Sequence, residues 1–518
     1  MDLLTQVEEF VNTMNGILFH DYVVYALLFT GLAFTIWSGF GQYRALTHGV
    51  AVIRGKFDHK DDPGAINHFQ ALSAALSATV GLGNIAGVGV AVGLGGPGAV
   101  FWMWVIGVLG MSLKMTEVTQ SMLYRDTRDP NNPHGGPMFV VRDLLASKGG
   151  NLGVTIGGIF CLTLILSAIT GGNMFQAWNV AEVTTRYFEI PGVSSMDATA
   201  NFNPSKLAIG IVLAILVGAV IIGGIKRIGA VAGRLVPFMC GLYLLFGLIV
   251  VMINITEIPG MIMLIIQSGL GMGEADPKGA FIGGTFGYAA LWGIKRALFS
   301  SEAGQGSAPI AHSAAKCDEP VREGVVAGLE PFIDTLVVCT VTALIILSTG
   351  AWNREAEAVF DADAPITLEV QGEEWVLTTP ALPAKTDEAK RINRVAEGQP
   401  GWRHNDQVFM LIHAEKNHDS GHEVHRLSGI VSEVEGEGGA PSTYTVEWSK
   451  HPVAFEDDER VVVTLAEPGV YVEYPGATLT AHAFDRAVPG LGKWLVVFAA
   501  WLFAVSTMIS WSYYGEQG

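Results

Sequence analysis

The chain has 518 residues, 50% of them hydrophobic and only 15% charged, with 63 glycines and a positive mean hydropathy. Soluble domains carry roughly 25% charge, and glycine is commoner in membrane helices than in soluble ones, so an ordinary soluble class is excluded. The net charge of −18 is unevenly held: residues 351–486 contain 25 acidic and 11 basic side chains, the remainder 24 and 20.

Met1 to Asp21 lacks Lys and Arg, and with them the positive region of a cleavable signal peptide. Nine apolar runs follow, each near the roughly 20 residues that a bilayer requires. The first, Tyr22–Tyr43, is followed by Arg44, Arg54, Lys56 and Lys60. The second, His68–Leu94, contains Thr79-Val80-Gly81-Leu82-Gly83-Asn84, and then Gly87, Gly89, Gly93, Gly95, Gly96 and Pro97 follow. Each interior glycine costs a helix about 0.5–1 kcal/mol relative to alanine. Tight helix packing accounts for Gly87 and Gly89. It accounts less well for Gly81 and Gly83, because the amide of Asn84 is expensive at this depth unless it is paired. A broken helix is therefore expected at 79–84.

The third run, Gly98–Tyr124, precedes Arg125, Arg128, Arg142 and Lys148. The fourth and fifth are Gly153–Val183 and Leu207–Gly224, followed by Lys226 and Arg227 with Arg234 nearby. The sixth is Ile228–Ile253. The seventh, Phe281–Ala311, holds Lys295, Arg296 and Glu302 and a second Gly-x-Gly in the polar patch Phe299-Ser300-Ser301-Glu302-Ala303-Gly304-Gln305-Gly306-Ser307-Ala308-Pro309. After Lys316 and Arg322 comes the eighth, Ala327–Gly350, which contains Asp334. Ionisable groups inside spans are functional or paired. Arg296 and Glu302, six apart, are not helical neighbours, so a pair between them would need the broken backbone. A direct substrate role for Glu302 is the other reading. Alternate loops are basic and hence cytoplasmic, which places the N-terminus and residues 351–486 outside.

Residues 351–486 read as a β-rich domain. Ile366–Val370 and Tyr444–Trp448 alternate apolar and polar, Arg460–Leu465 is a further candidate strand, and Gly436–Gly439 marks a turn. His418, His422 and His425 are close enough to share a metal, with Glu456–Glu459 as possible oxygen donors. With no cysteine among them, a solvated polar face is preferred. The ninth run, Lys493–Tyr514, carries Ser506 and Thr507, whose hydroxyls can complete a cation shell or bond back to their own helix. Trp511 could wall an apolar pocket, and Tyr513 and Tyr514 read as interfacial aromatics. The four cysteines give no readable disulfide framework.

Paired glycine-interrupted helices in corresponding positions of two halves point to the binding site of a secondary transporter. Unwound backbone must line a cavity or lie buried in protein. It offers amide groups to a carboxylate and carbonyls to a cation or an ammonium.

The stretches 78–88, His134-Gly135-Gly136-Pro137-Met138, Gly172–Ala177, Lys295-Arg296 with Phe299–Pro309, Phe332-Ile333-Asp334-Thr335 and Ser506–Glu516 together resemble the alanine or glycine:cation symporter family. This family belongs to the amino acid–polyamine–organocation superfamily. The resemblance covers most of residues 20–350 and 487–518. It implies an all-α polytopic membrane protein with the inverted-repeat, leucine-transporter type of fold and an extra N-terminal helix. It also implies sodium- or proton-coupled uptake of alanine or glycine by alternating access. The substrate would meet Thr79, Gly81, Gly83, Asn84, Gln176, Phe299, Gly304, Thr507 and Trp511. A sodium ion would meet Val80, Asn84, Ser506 and Thr507. Lys295, Arg296, Glu302 and Asp334 would serve as gating or structural charges.

Two departures lie in the scaffold: Ser301 stands where the family usually has Asn, and the inserted β-rich domain replaces a much shorter connection. The chain also stops at Gly518, right after core helix eight, so the second repeat is expected to lack its last core helices. The expected organisation is a membrane domain over 1–350, the outer domain over 351–486 and core helix eight over 487–518. The resulting expectation is a monomeric, multi-pass protein of a bacterial inner membrane. It binds a small amino acid, the lipid bilayer and sodium but no nucleic acid, and it is no enzyme, since no nucleophile–base pair stands out. Alternatives are an amino acid sensor that signals through the outer domain, or a truncated, non-functional homologue.

Overall fold

A computed structural model describes residues 21–59, 61–146, 151–188, 203–272, 279–283, 285–417, 421–434, 442–456 and 459–518, and before residue 21 only 6, 11, 13, 14 and 16. Of the residues singled out above, Lys60, Lys148, His418, 436–439, Asp457 and Asp458 lie outside the described ones.

The helical part runs α1 (Asp21–Trp37), α2 (Gly41–Ile53), α3 (His68–Thr79), α4 (Ala86–Leu123), α5 (Pro137–Ala146), α6 (Leu152–Tyr187), α7 (Pro204–Ile221), α8 (Gly224–Ile253), α9 (Ile258–Gly269), α10 (Phe286–Ser301), α11 (Ala308–His312) and α12 (Pro320–Ser348). Local chemistry fixes the starts of several. Asn67 caps α3 in a capping box with Gln70, Asn203 caps α7 ahead of Pro204, and Thr285 accepts from the Tyr288 amide at α10.

Among the described residues, six helices are long and apolar enough to cross a membrane, or seven if α1 and α2, bent by 69°, form one span. Nine were expected. The shortfall arises where the backbone breaks. The second expected span is cut at Thr79, and its remainder merges with the third into one run, which Gly96 divides with a φ of 64°, a conformation open to glycine. The seventh is cut into α10 of 16 residues and α11 of five, each too short to span alone.

Between α12 and the closing helices lies a β-rich domain. Its main sheet has the order β1–β11–β4–β5–β6, with β10 also on β4. The strands are β1 (Ala358–Val359), β4 (Gln407–His413), β5 (Val424–Val434), β6 (Thr443–Trp448), β10 (Thr464–Leu465) and β11 (Gly469–Val472). A second sheet joins β2 (Thr367–Gln371), β3 (Glu374–Thr378) and β7 (His451–Pro452), and β8 (Phe455–Glu456) pairs with β9 (Glu459–Arg460). All pairings are antiparallel. The short helix α13 (Asp387–Ile392) sits between β3 and β4. Ile366–Val370 and Tyr444–Trp448 fall on β2 and β6, but Arg460–Leu465 is not one strand. Val461 bonds to the Ala454 carbonyl, whereas Thr464 and Leu465 pair with β4, so the chain changes partner within the run.

Two helices close the chain: α14 (Ala477–Ala487) and α15 (Leu491–Gln517). Helix α14 lies within the segment read as β-rich, yet it packs on the helical part. Thr480 donates to the Ile85 carbonyl, and Arg486 donates to that of Thr349. The β-rich domain also grips the helical part, through Arg426 to the Ala280 carbonyl and Arg186 to the Glu473 carbonyl.

Candidate substrate and cation site

Both expected breaks are present. Helix α3 ends at Thr79. Val80 and Gly81 are non-helical, a short 3-10 turn covers Leu82–Asn84, and α4 begins at Ala86. Helix α10 ends at Ser301, where Glu302 adopts a φ of 52°, followed by Gly304 and Gly306 at 83° and 79°. A left-handed glutamate is uncommon, and such strain clusters at functional sites.

Asn84 ties the breaks together. Its Oδ1 accepts from the Gly81 amide at 2.9 Å. Its Nδ2 contacts Asp334 Oδ1 and lies 3.2 Å from Ser300 Oγ and 3.3 Å from the Asp334 carbonyl. Asp334 Oδ2 in turn accepts from Ser300 Oγ and Thr335 Oγ1, both at 2.7 Å. The amide expected to face substrate or sodium is thus engaged with protein on both sides, and its burial cost is met internally.

Helix α15 is laced to α3 by hydroxyls. Ser77 Oγ lies 2.7 Å from both the carbonyl and the Oγ of Ser506, and Ser510 donates to the Ala74 carbonyl. Ser506, expected at the ion, is therefore shared with Ser77. Thr79 Oγ1 bonds back to Ala75 and Leu76 of its own helix. Val80 is buried beside the turn.

Thr507 Oγ1 differs, being buried without a hydrogen-bond partner. So is Gln176 Oε1 on α6. Both face Gly81: a Cβ built there would stand 2.5 Å from Thr507 Oγ1 and 3.7 Å from Gln176 Oε1. Unpaired buried polar atoms are uncommon and call for an explanation.

On the other side, Trp511 Nε1 donates to Glu302 Oε1 at 3.0 Å, and Ser307 Oγ donates to Glu302 Oε2. A Cβ on Gly83 would meet Phe299 at 3.4 Å, and Phe299 in turn stands edge-on to Phe175 at 5.6 Å. Gly81, Gln176 and Thr507 thus converge, as do Gly83 with Phe299 and Glu302 with Trp511. Gly304 does not join them, since a Cβ there would meet Leu27 and Leu113. No Arg296–Glu302 ion pair forms among the described residues. Arg296 lies over the Trp292 ring and beside Gly87, and Lys295 on the same helix is partly buried. Tyr513 and Tyr514, expected at the interface, are buried inside the protein.

A buried ionic chain, not expected from the sequence, adjoins the second break. His68 Nδ1 contacts Glu323 Oε2, and Glu323 Oε1 lies 2.5 Å from His312 Nδ1. His312 Nε2 lies 2.7 Å from Glu330 Oε1, and Lys114 Nζ lies 3.3 Å from Glu330 Oε2 and 3.9 Å from Glu117 Oε1. Glu117 accepts from the Gly306 amide, which links this chain to the second break. Only Lys114 and Glu117, three apart on one helix, carried a signal in the sequence. Arg125, at the end of α4, donates to the carbonyls of Ser313, Ala315, Pro63 and Cys317, a use of its donor fork that fixes the loops after α2 and α11.

Residues 4–372 match the family described as the sodium:alanine symporter family. Curated relatives align with the chain over about two thirds of its length. The sodium/alanine symporter AgcS of Methanococcus maripaludis is 40% identical over 340 residues, 66% of this chain and 70% of that protein. The putative sodium/proton-dependent alanine carrier protein YrbD of Bacillus subtilis is 37% identical over 352 residues, 67% of this chain and 66% of that protein.

Proposed function

Because the chain belongs to the sodium:alanine symporter family, a family of transporters rather than enzymes, we propose that it carries alanine or glycine with sodium by alternating access. The observation that carries this reading is the pair of unpartnered buried oxygens, Thr507 Oγ1 and Gln176 Oε1, facing the unwound backbone at Gly81.

In this reading the fold is the inverted-repeat, leucine-transporter type with an extra N-terminal helix, and the two breaks open the first helix of each repeat. The substrate carboxylate takes the amide groups of Leu82 and Gly83 at the start of α4, where the helix dipole favours an anion, the Gly81 amide being held by Asn84. Gln176 and Trp511 complete the wall. Sodium takes Thr507 Oγ1 and the Val80 carbonyl, with Ser506 sharing its hydroxyl with Ser77. Asn84, Ser300 and Asp334 hold the two breaks in register, and Glu302 braces the second. Ion and substrate bound together shift the population toward the inward-facing state. The protein is a monomer in a bacterial inner membrane, with its N-terminus and β-rich domain outside.

Uptake of labelled alanine or glycine into proteoliposomes tests this. A sodium gradient is expected to drive accumulation, and a sodium ionophore to abolish it. No uptake of either amino acid would overturn the substrate assignment, and uptake that follows an imposed pH gradient alone would replace sodium with the proton.

A further inference from the structure

We propose that Glu415, His425 and His451 in the β-rich domain bind a transition-metal dication of the Zn2+ class. The three come from separate places: Glu415 from just past β4, His425 from β5 and His451 from β7. Their donor atoms all lie within 4.8 Å of one another, and all three residues are half-buried. His451 Nε2 is 3.1 Å from Glu415 Oε2, and the two imidazole rings stand 5.3 Å apart and tilted by 66°.

Proximity in sequence groups His425 with His418 and His422. The fold instead pairs it with residues 10 and 26 positions away. His418 is outside the described residues.

Three features favour a metal over a plain ion pair. His425 Nε2 lies 2.6 Å from the Glu415 carbonyl oxygen. A carbonyl only accepts, so Nε2 carries the proton and the ring's lone pair sits on Nδ1. Metal-bound histidines are held in this way, by a backbone carbonyl that accepts from the other ring nitrogen.

Donor spacing is the second feature. In a tetrahedral site with bonds of about 2.0–2.1 Å, the donors stand roughly 3.4 Å apart. The donors here stand within 4.8 Å, so binding would draw the three side chains closer together.

The third is topology. His425 belongs to the main sheet and His451 to the β2–β3–β7 sheet, so one ion would clamp the two sheets. The acidic surroundings raise the local cation concentration.

Two imidazoles and one carboxylate suit Zn2+, Cu2+ or Ni2+ and disfavour Mg2+ and Ca2+, which take oxygen ligands. Three protein ligands leave one coordination position for water or an exogenous group.

The test uses the untagged full-length chain in detergent, stripped with a chelator and titrated with Zn2+ against a chromophoric chelator. One equivalent is expected to compete. H425A and H451A are each expected to lose at least the 10–100-fold that even supporting residues command. E415Q keeps the side chain's shape and is expected to weaken binding as well, whereas H422A is expected to bind as wild type. Near-ultraviolet circular dichroism confirms that each variant is folded. Co2+ substituted into the wild type is expected to give visible absorption bands that E415Q alters. Absence of Zn2+ binding by the wild type would overturn the proposal. So would H425A and H451A binding as tightly as wild type, since the ion would then sit on other histidines.

Discussion

In the helical region, one group of ionisable side chains is interior and its members touch one another. His68, Lys114, His312, Glu323 and Glu330 are each at most 1% exposed, and Glu302 and Asp334 are buried beside the breaks. In the β-rich domain, the Lys450–Glu374 pair has an equally short separation, 2.7 Å, with side chains 57% and 47% exposed. The contact type is the same and the surroundings are opposite. Water screens the exposed pair, while a buried pair depends on its partner for most of what solvation would have given. Short distances alone therefore do not mark where function or stability is concentrated. Burial decides it.

Several substitutions sharpen that contrast. Gly81→Val is expected to have the largest effect. The backbone at Gly81 is extended, so valine fits the chain, but its Cβ would enter the space facing Thr507 Oγ1. Sodium-driven alanine uptake is expected to fall to background with normal membrane levels, and normal uptake would show that the site lies elsewhere. His312→Ala comes next. It removes the ring held between Glu323 and Glu330 and leaves two buried carboxylates without that partner. Loss of one member of a buried ionic group costs about 3–5 kcal/mol, readable as a large drop in the thermal unfolding midpoint in detergent. A change within about 1 kcal/mol would make the buried chain dispensable and erase the contrast. Glu302→Gln keeps the shape and exchanges charge-assisted hydrogen bonds from Trp511 and Ser307 for neutral ones. The difference is about 1 kcal/mol. Uptake is expected to fall severalfold while insertion is retained, and wild-type uptake would place Glu302 outside the mechanism.

Parts of this architecture were legible in the sequence for physical reasons. A Gly-x-Gly in an apolar run can be read because glycine is costly in a helix, and both breaks stand where that reading put them. What holds the breaks together was not legible. Asn84, Ser300 and Asp334 meet across 216 and 250 residues of chain, and a single sequence carries no signal for such pairing. The buried ionic chain is hidden for the same reason. Strands β2 and β6 were visible because one face is wet and residues alternate. Strand β4, the centre of the main sheet, was not. Its five interior residues are all buried, and a continuous apolar run reads equally well as part of a helix.

The smallest effect is expected at Lys450→Ala. The lysine reaches from the turn between β6 and β7 to Glu374 on β3, so the contact crosses strands and looks structural. Holding two long, exposed side chains in one geometry offsets much of the Coulomb gain, and exposed pairs contribute about 0–1 kcal/mol. The expected loss in chemical denaturation, followed by tryptophan fluorescence, lies within that range and shrinks further in concentrated salt. Trp375, the neighbour of Glu374 and the ladder partner of His451, provides a local reporter. A loss above about 2 kcal/mol would mean that the rim of this domain behaves like the buried ionic chain, and burial would no longer separate the two kinds of contact.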